Sequence, residues 1–107
     1  MAIVDTGASI SAVDATVIAR LGVQPVGTAN VGTAGGIQTQ STYPARLSFP
    51  GTNLPSMEFN SLLGANLGGQ VITGPMPGNL IVLLGRDVLE HFVFIYNGPN
   101  GMFTLAL

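Results

Sequence analysis

The sequence predicts an all-β domain carrying one or two short helices. Three observations lead there. Fifteen glycines and seven prolines in 107 residues place turns at short intervals. Residues 37–49 alternate, with Ile37, Thr39, Ser41, Tyr43, Ala45, Leu47 and Phe49 on one face and Gln38, Gln40, Thr42, Arg46 and Ser48 on the other. The apolar runs are of strand length, the purest being Leu80–Leu84. A hydrophobic content of 47% is ample for a core, and 107 residues fit one domain.

Taken in order, Met1-Ala2-Ile3-Val4 reads as a buried strand running into the turn signal Asp5-Thr6-Gly7. Asp14 to Leu21 reads as a short helix. Asp14 stands at the N-cap, Val13 and Ile18 are spaced for a hydrophobic staple, and Gly22 sits where a left-handed terminating residue belongs. Val17, Ile18 and Leu21 are its expected buried face. Pro25 forbids continuation. Within the alternating segment, Pro44 has no N–H to give a ladder, which predicts an edge position or a bulge. Pro50-Gly51-Thr52-Asn53 is a turn, and Met57-Glu58-Phe59 begins a returning strand. Gly64 to Gly78 reads as loop. Leu80–Leu84 is expected to be buried on both faces. Asp87-Val88-Leu89-Glu90 has capping-box spacing and predicts a second helix with Asp87 as cap. Phe92–Tyr96 and Met102–Leu107 flank Asn97-Gly98-Pro99-Asn100-Gly101 and predict a hairpin.

Composition excludes several functions. Charged residues are only 7%, with no lysine and a formal charge of −2, so there is no basic footprint for nucleic acid. So few charges imply that a partner covers part of the apolar surface. Without cysteine, a disulfide scaffold, a thiol nucleophile and a thiolate metal site are excluded. One histidine, His91, is too few for a histidine zinc site and offers Ser9 and Ser11 no evident triad. No apolar run reaches membrane-spanning length, and no leader is visible, which makes the cytoplasm the default compartment. The glycines between Gly27 and Gly36 have neither phosphate-loop nor dinucleotide spacing.

Two segments carry the chemistry. In Ile3-Val4-Asp5-Thr6-Gly7-Ala8-Ser9, an apolar strand delivers a carboxylate into a turn, where burial is costly unless the group is hydrogen-bonded, paired or functional. For a bare Asp-Thr-Gly an Asx-turn, in which Asp5 bonds its own backbone, is the favoured reading, since a tripeptide match is weak. About eighty residues on, Ile81-Val82-Leu83-Leu84-Gly85-Arg86-Asp87 is an apolar strand ending in Gly-Arg-Asp ahead of a short helix.

This ordered pair resembles the retropepsin-like aspartic proteases, single-lobe relatives of pepsin that include the retroviral proteases. The matching positions are Asp5, Thr6, Gly7, Ala8 and Ser9 for the catalytic loop, and Leu84, Gly85, Arg86 and Asp87 for the hydrophobic-hydrophobic-Gly motif. Thr33, Ala34, Gly35, Gly36 and Ile37 fall where that family has its flap, and Pro75, Met76 and Pro77 resemble its proline-containing cleft loop. The resemblance spans nearly the whole chain. It implies an acid-protease barrel with one lobe per chain. It implies peptide-bond hydrolysis by a dyad of two Asp5 carboxylates from a homodimer, with water as nucleophile and with no metal or other cofactor. Thr6 is then expected to bond across the dyad, Gly7 to present its carbonyl to substrate, and Arg86 to tie the two motif loops together. A peptide or protein is the expected substrate, with no membrane partner.

Family members carry an opening hairpin before the catalytic loop, whereas Met1 to Val4 alone precede Asp5 here. The expectation is a trimmed or self-processed form, or replacement of that hairpin by other residues. Met102–Leu107 is apolar on both faces, as an interface strand or a core strand would be. Asp14 reads as a cap, Glu58 and Arg46 as solvated strand residues, and His91 as a helix-end residue. Ser9 has two expected uses, a bond near the Asp5 carboxylate or one to the turn backbone. The alternatives to the protease are a non-catalytic dimerisation or peptide-binding module on the same fold, and an unrelated small β-barrel.

Overall fold

The computed structural model describes residues 2–68, 71–72 and 78–107. Within them the chain forms ten strands and two short helices. In order these are β1 (Ala2–Val4), β2 (Ala12–Asp14), α1 (Ala15–Arg20), β3 (Gly27–Thr33), β4 (Gly36–Leu47), β5 (Met57–Ala65), β6 (Val71–Ile72), β7 (Gly78–Asn79), β8 (Val82–Leu84), α2 (Arg86–Leu89), β9 (Val93–Asn97) and β10 (Met102–Ala106). Six strands make one sheet in the order β1-β8-β2-β5-β4-β3. In it β1 runs parallel to β8 and β2 parallel to β5, and the other neighbours are antiparallel. Strands β9 and β10 form a separate antiparallel pair, as do β6 and β7.

The central strands are apolar at consecutive positions because both faces of the sheet are covered. Ala12 and Leu63 pack with Leu67 and Leu80 on one side, joined by Leu83. Val13 packs with Ile18 and Tyr43 on the other, joined by Leu62 and Val82. Neighbouring residues therefore serve opposite cores, as a period of two requires. Leu80 and Leu84 are buried as expected, with Ile81, Val82 and Leu83 half-buried between them. Strand β1 departs from expectation. Ala2 is exposed and Ile3 and Val4 only half-buried, because β1 is an edge of the sheet.

Pro44 sits at a bulge. Tyr43 faces Leu62 and Ala45 faces Phe59, so this one residue opposes two on β5. A proline in an interior strand is tolerated there because the ladder is already interrupted. The alternation of residues 37–49 does not bury one whole face. β5 pairs with β4 only from Thr42 onward, and the rest of β4 is held by β3 alone. Ile37, at 79% exposure, lies in that free-standing half of the hairpin.

Helix α1 begins as the sequence predicts. Asp14 is its N-cap and accepts from the Val17 N–H at 3.2 Å. Val13 and Ile18 meet in one core cluster, which completes the staple. Gly22 follows with φ +77°, the left-handed geometry that ends the helix. Leu21, expected inside, is 75% exposed, since a six-residue helix ends before its second turn can turn that residue inward.

Asp14 does more than cap. Although only 3% exposed, its carboxylate also accepts from Leu67 N at 2.9 Å and Gly68 N at 2.6 Å, pinning a loop 53 residues away in sequence. Burial by itself raises this carboxyl. The N–H groups of Gly68, Leu67, Val17 and Thr16 outweigh that and hold it below the ordinary value of 3.8. A depressed folded pKa adds stability that is complete above the unfolded value and is lost as pH falls through the folded one. Urea midpoints measured from pH 6 downward are expected to drop on the acid side of 3.8 in the wild type. Asp14→Asn is expected to start lower and to lose that part of the acid slope.

Candidate active site

The parallel pairing of β1 with β8 brings the two sequence motifs side by side. Ala2, Ile3 and Val4 face Val82, Leu83 and Leu84. The ladder runs one residue further, since Asp5 N donates to Leu84 O at 2.9 Å. The chain then leaves the sheet. Ala8 N returns to Asp5 O at 3.1 Å, and Gly7 N donates to Asp5 Oδ1 at 2.9 Å, forming an Asx-type turn. A Cβ on Gly7 would lie 3.2 Å from that Oδ1, so the glycine keeps the space beside the carboxylate open. Asp5 is half-buried, Thr6, Gly7 and Ser9 are exposed, and Ala8 is half-buried.

Residues 85–87 close over this loop. Arg86 N donates to Ala8 O at 2.9 Å, and Arg86 Nη1 reaches Thr6 O at 3.0 Å. Arg86 thus bonds to the Asp-Thr-Gly loop through both its backbone and its guanidinium. At Gly85, an added Cβ would fall 2.7 Å from both the carbonyl carbon and oxygen of Ile10, and 3.0 Å from Ala8 O. Only glycine lets these two backbones cross so closely.

Asp87 is not a helix cap. The N-cap of α2 is Gly85, without a side-chain cap bond, and Asp87 lies inside the first turn. Its carboxylate turns instead to Ser11. Oδ1 accepts from Ser11 Oγ at 2.6 Å and from Val88 N at 2.9 Å, and Oδ2 accepts from Ser11 N at 3.0 Å. Ser11 Oγ in turn accepts from Gly85 N at 2.8 Å. The capping-box spacing fails because Glu90 ends the helix and lies 3.7 Å from His91 Nε2. His91, at the helix end, is exposed. Ser11 is the residue that the motif reading passed over. Its signal was a hydroxyl inside the apolar segment Ile10-Ser11-Ala12-Val13, which requires a buried partner.

The remaining sequence candidates are dispersed. Residues 33–37 form the tip of the β3–β4 hairpin, with Thr33 paired to Gly36 and Ala34-Gly35 as the two-residue turn. Gly36 has φ +113°, which disfavours other residues. Pro75, Met76 and Pro77 lie outside the described residues. Ser9 has no hydrogen bond among the described residues, so neither of its two expected uses is met. Met102–Ala106 is not a core strand. Met102 and Phe103 are largely exposed on the two-stranded sheet, as are Ile95 and Tyr96 of β9. Between that hairpin and β1 lies an open, mainly apolar groove of about 570 Å³, lined by Ala2, Ile3, Val4, Thr6, Phe94, Tyr96 and Phe103.

Asp5 differs from the other two aspartates in its hydrogen bonding. Asp14 is committed to Val17, Leu67 and Gly68, and Asp87 to Ser11 and Val88. Glu58 is paired with Arg46 at 2.6 Å on the surface, and Glu90 lies beside His91. Asp5 Oδ2 has no hydrogen-bond partner among the described residues, so this oxygen is available to a reactant. Among the described residues no group of three or more His, Asp or Glu side chains is placed to hold a metal ion, and no helix is long and apolar enough to cross a membrane.

A mostly-β chain with an Asp-Thr-Gly turn, laid parallel to an apolar strand that ends in a glycine crossing, has the architecture of a retropepsin-like acid protease lobe. A family model described as aspartyl protease matches residues 1–88. The chain belongs to this retropepsin-like aspartyl protease family. No curated protein and no solved structure gives a significant match.

Proposed function

We propose that the chain is an aspartic endopeptidase, working as a homodimer in which two Asp5 carboxylates form the dyad. The observation that carries this reading is the disposition of the acids. Asp5 is half-buried in the Asp-Thr-Gly turn, with Oδ1 held by Gly7 N and Oδ2 without a hydrogen-bond partner among the described residues. Both oxygens of Asp14 and of Asp87 are instead spent on fixing loops, and Glu58 and Glu90 lie on exposed surface. A single lobe therefore supplies one catalytic carboxylate, and a two-fold axis supplies the second. Two carboxylates held close cannot both ionise comfortably and share one proton. The ionised Asp5 takes a proton from water as the water oxygen bonds to the scissile carbonyl carbon. The partner's Asp5 gives its proton to the carbonyl oxygen. Collapse of the tetrahedral adduct breaks the C–N bond as the proton first taken from water passes to the leaving amine and one hydroxyl of the adduct returns a proton to the partner's Asp5, which restores the single shared proton.

The tip residues Thr33, Ala34, Gly35, Gly36 and Ile37 suit a flap. Ala34, Gly35, Gly36 and Ile37 are exposed and the hairpin ends in a tight Ala34-Gly35 turn, so the tip can close over an extended peptide gripped by main-chain bonds. Thr6, exposed beside Asp5, suits a bond across the dyad. Pro75, Met76 and Pro77 are assigned to the cleft by resemblance alone.

The test is subunit mixing. Adding excess Asp5→Asn chain to a fixed amount of wild type, with time to exchange, is expected to suppress cleavage of an unfolded protein, because each mixed dimer holds one carboxylate. Activity unaffected by demonstrated exchange would refute the shared dyad. A folded dimer that cleaves nothing at any pH and binds no statine-type inhibitor would instead indicate the non-catalytic module.

A further inference from the structure

We propose that Ser11 and Asp87 are a positioning pair that sets the orientation of Asp5, an inference that rests on the endopeptidase reading above. Residues 5–11 leave β1 and rejoin the sheet at β2 with no ladder of their own. Their near end is held by Asp5 N on Leu84 O, and their middle by Arg86 on Thr6 and Ala8. Their far end is held by the Ser11–Asp87 pair.

Three features mark that pair as a fixed device. Ser11 is only 3% exposed, and its hydroxyl is used in both senses, donating to Asp87 Oδ1 and accepting from Gly85 N. Asp87 engages Ser11 through both carboxylate oxygens, a two-point contact that resists rotation. The same pair also fixes Gly85, whose backbone crosses Ile10 too closely for any side chain. Loosening the far end of a seven-residue loop changes where Asp5 points, while the hairpin tip at residues 33–37, which closes over the peptide in the reading above, is left in place. The expected signature is therefore in kcat, because reaction demands placement within a fraction of an ångström while peptide binding does not.

Gly7 provides a direct reporter, since its N–H is bonded to Asp5 Oδ1. The experiment compares full-length wild type, Ser11→Ala, Ser11→Thr, Asp87→Asn and the Ser11→Ala/Asp87→Asn double variant. Each is followed by kcat and KM on one defined peptide, by Tm, and by amide exchange at Gly7 and Ala8 without substrate. Ser11→Ala and Asp87→Asn are each expected to lower kcat about tenfold or more, with KM changed by less than about threefold. The double variant is expected to be about as slow as the slower single variant, because the two act as one unit. Ser11→Thr, which keeps the hydroxyl, is expected to recover most of kcat. Exchange at Gly7 is expected to quicken in Ser11→Ala and Asp87→Asn.

A folded Ser11→Ala with kcat near wild type, or with a lowered Tm as its only change, would overturn the proposal. If that variant does not fold, Asp87→Asn carries the same comparison. If the folded wild-type dimer cleaves nothing, the endopeptidase reading fails on its own. Gly7 exchange then decides the positioning role: faster in the variants upholds it, unchanged refutes it.

Discussion

Asp5→Asn is expected to lower peptide cleavage by at least about 10³-fold while leaving the fold intact. The fold survives because the link of this residue to β8 is made by its backbone, Asp5 N to Leu84 O. An asparagine oxygen can also still accept from Gly7 N, as Oδ1 does now. What disappears is the base. An amide cannot take a proton from water, and no other acid lies in the Asp-Thr-Gly turn: Asp14 and Asp87 are held by Leu67 and Ser11, and Glu58 and Glu90 are exposed on β5 and at the end of α2. The assay is cleavage of an unfolded protein across pH, wild type against variant, with Tm measured in parallel. Wild-type cleavage is expected on the acidic side, where a close pair of carboxylates holds one shared proton. Retention of full activity by a folded Asp5→Asn would remove the dyad from the mechanism.

The largest stability effect is expected at Gly85. Gly85→Ala places a methyl 2.7 Å from the carbonyl carbon and oxygen of Ile10. These are backbone atoms, held on the following side by the Ser11–Asp87 pair and β2 and on the preceding side by the Arg86 N bond to Ala8 O, so neither can swing aside as a side-chain tip would. The cost is expected to be about 3 kcal/mol, at the upper end for overpacking. For a chain of this size that lowers Tm by more than about 10 °C. Thermal unfolding of wild type and Gly85→Ala measures it. An unchanged Tm would mean that the two loops do not cross as closely as the geometry requires. The same clash separates the motif loops, so surviving protein is expected to lose activity beyond its loss of folded population.

Much of the site was legible because it is local. Strand, carboxylate and glycine turn follow one another in Ile3-Val4-Asp5-Thr6-Gly7, and the Gly7–Asp5 bond spans two positions. The α1 cap and staple lie within five residues of each other. Arg86 was readable through the family resemblance, since its motif is contiguous. Asp87 was misread for a physical reason. Capping-box spacing depends on four positions, but this carboxylate is claimed by a donor 76 residues away. Ser11 was missed for the same reason, its partner being invisible from its neighbours. Leu21 looked buried because periodicity shows which side a residue takes, not whether anything covers that side.

The sequence by itself determined the short strands, their turns, the first helix with its cap, and the two motifs that define the family. Those choices rest on steric and hydrogen-bonding preferences acting over a few residues. The tertiary structure decided that β1 lies parallel to β8, that Gly85 is the crossing point, and that Asp14 and Asp87 each secure a distant loop. These depend on closing loops of some fifty to eighty residues, after which buried N–H groups and carboxylates must find partners among whatever backbone has been brought beside them.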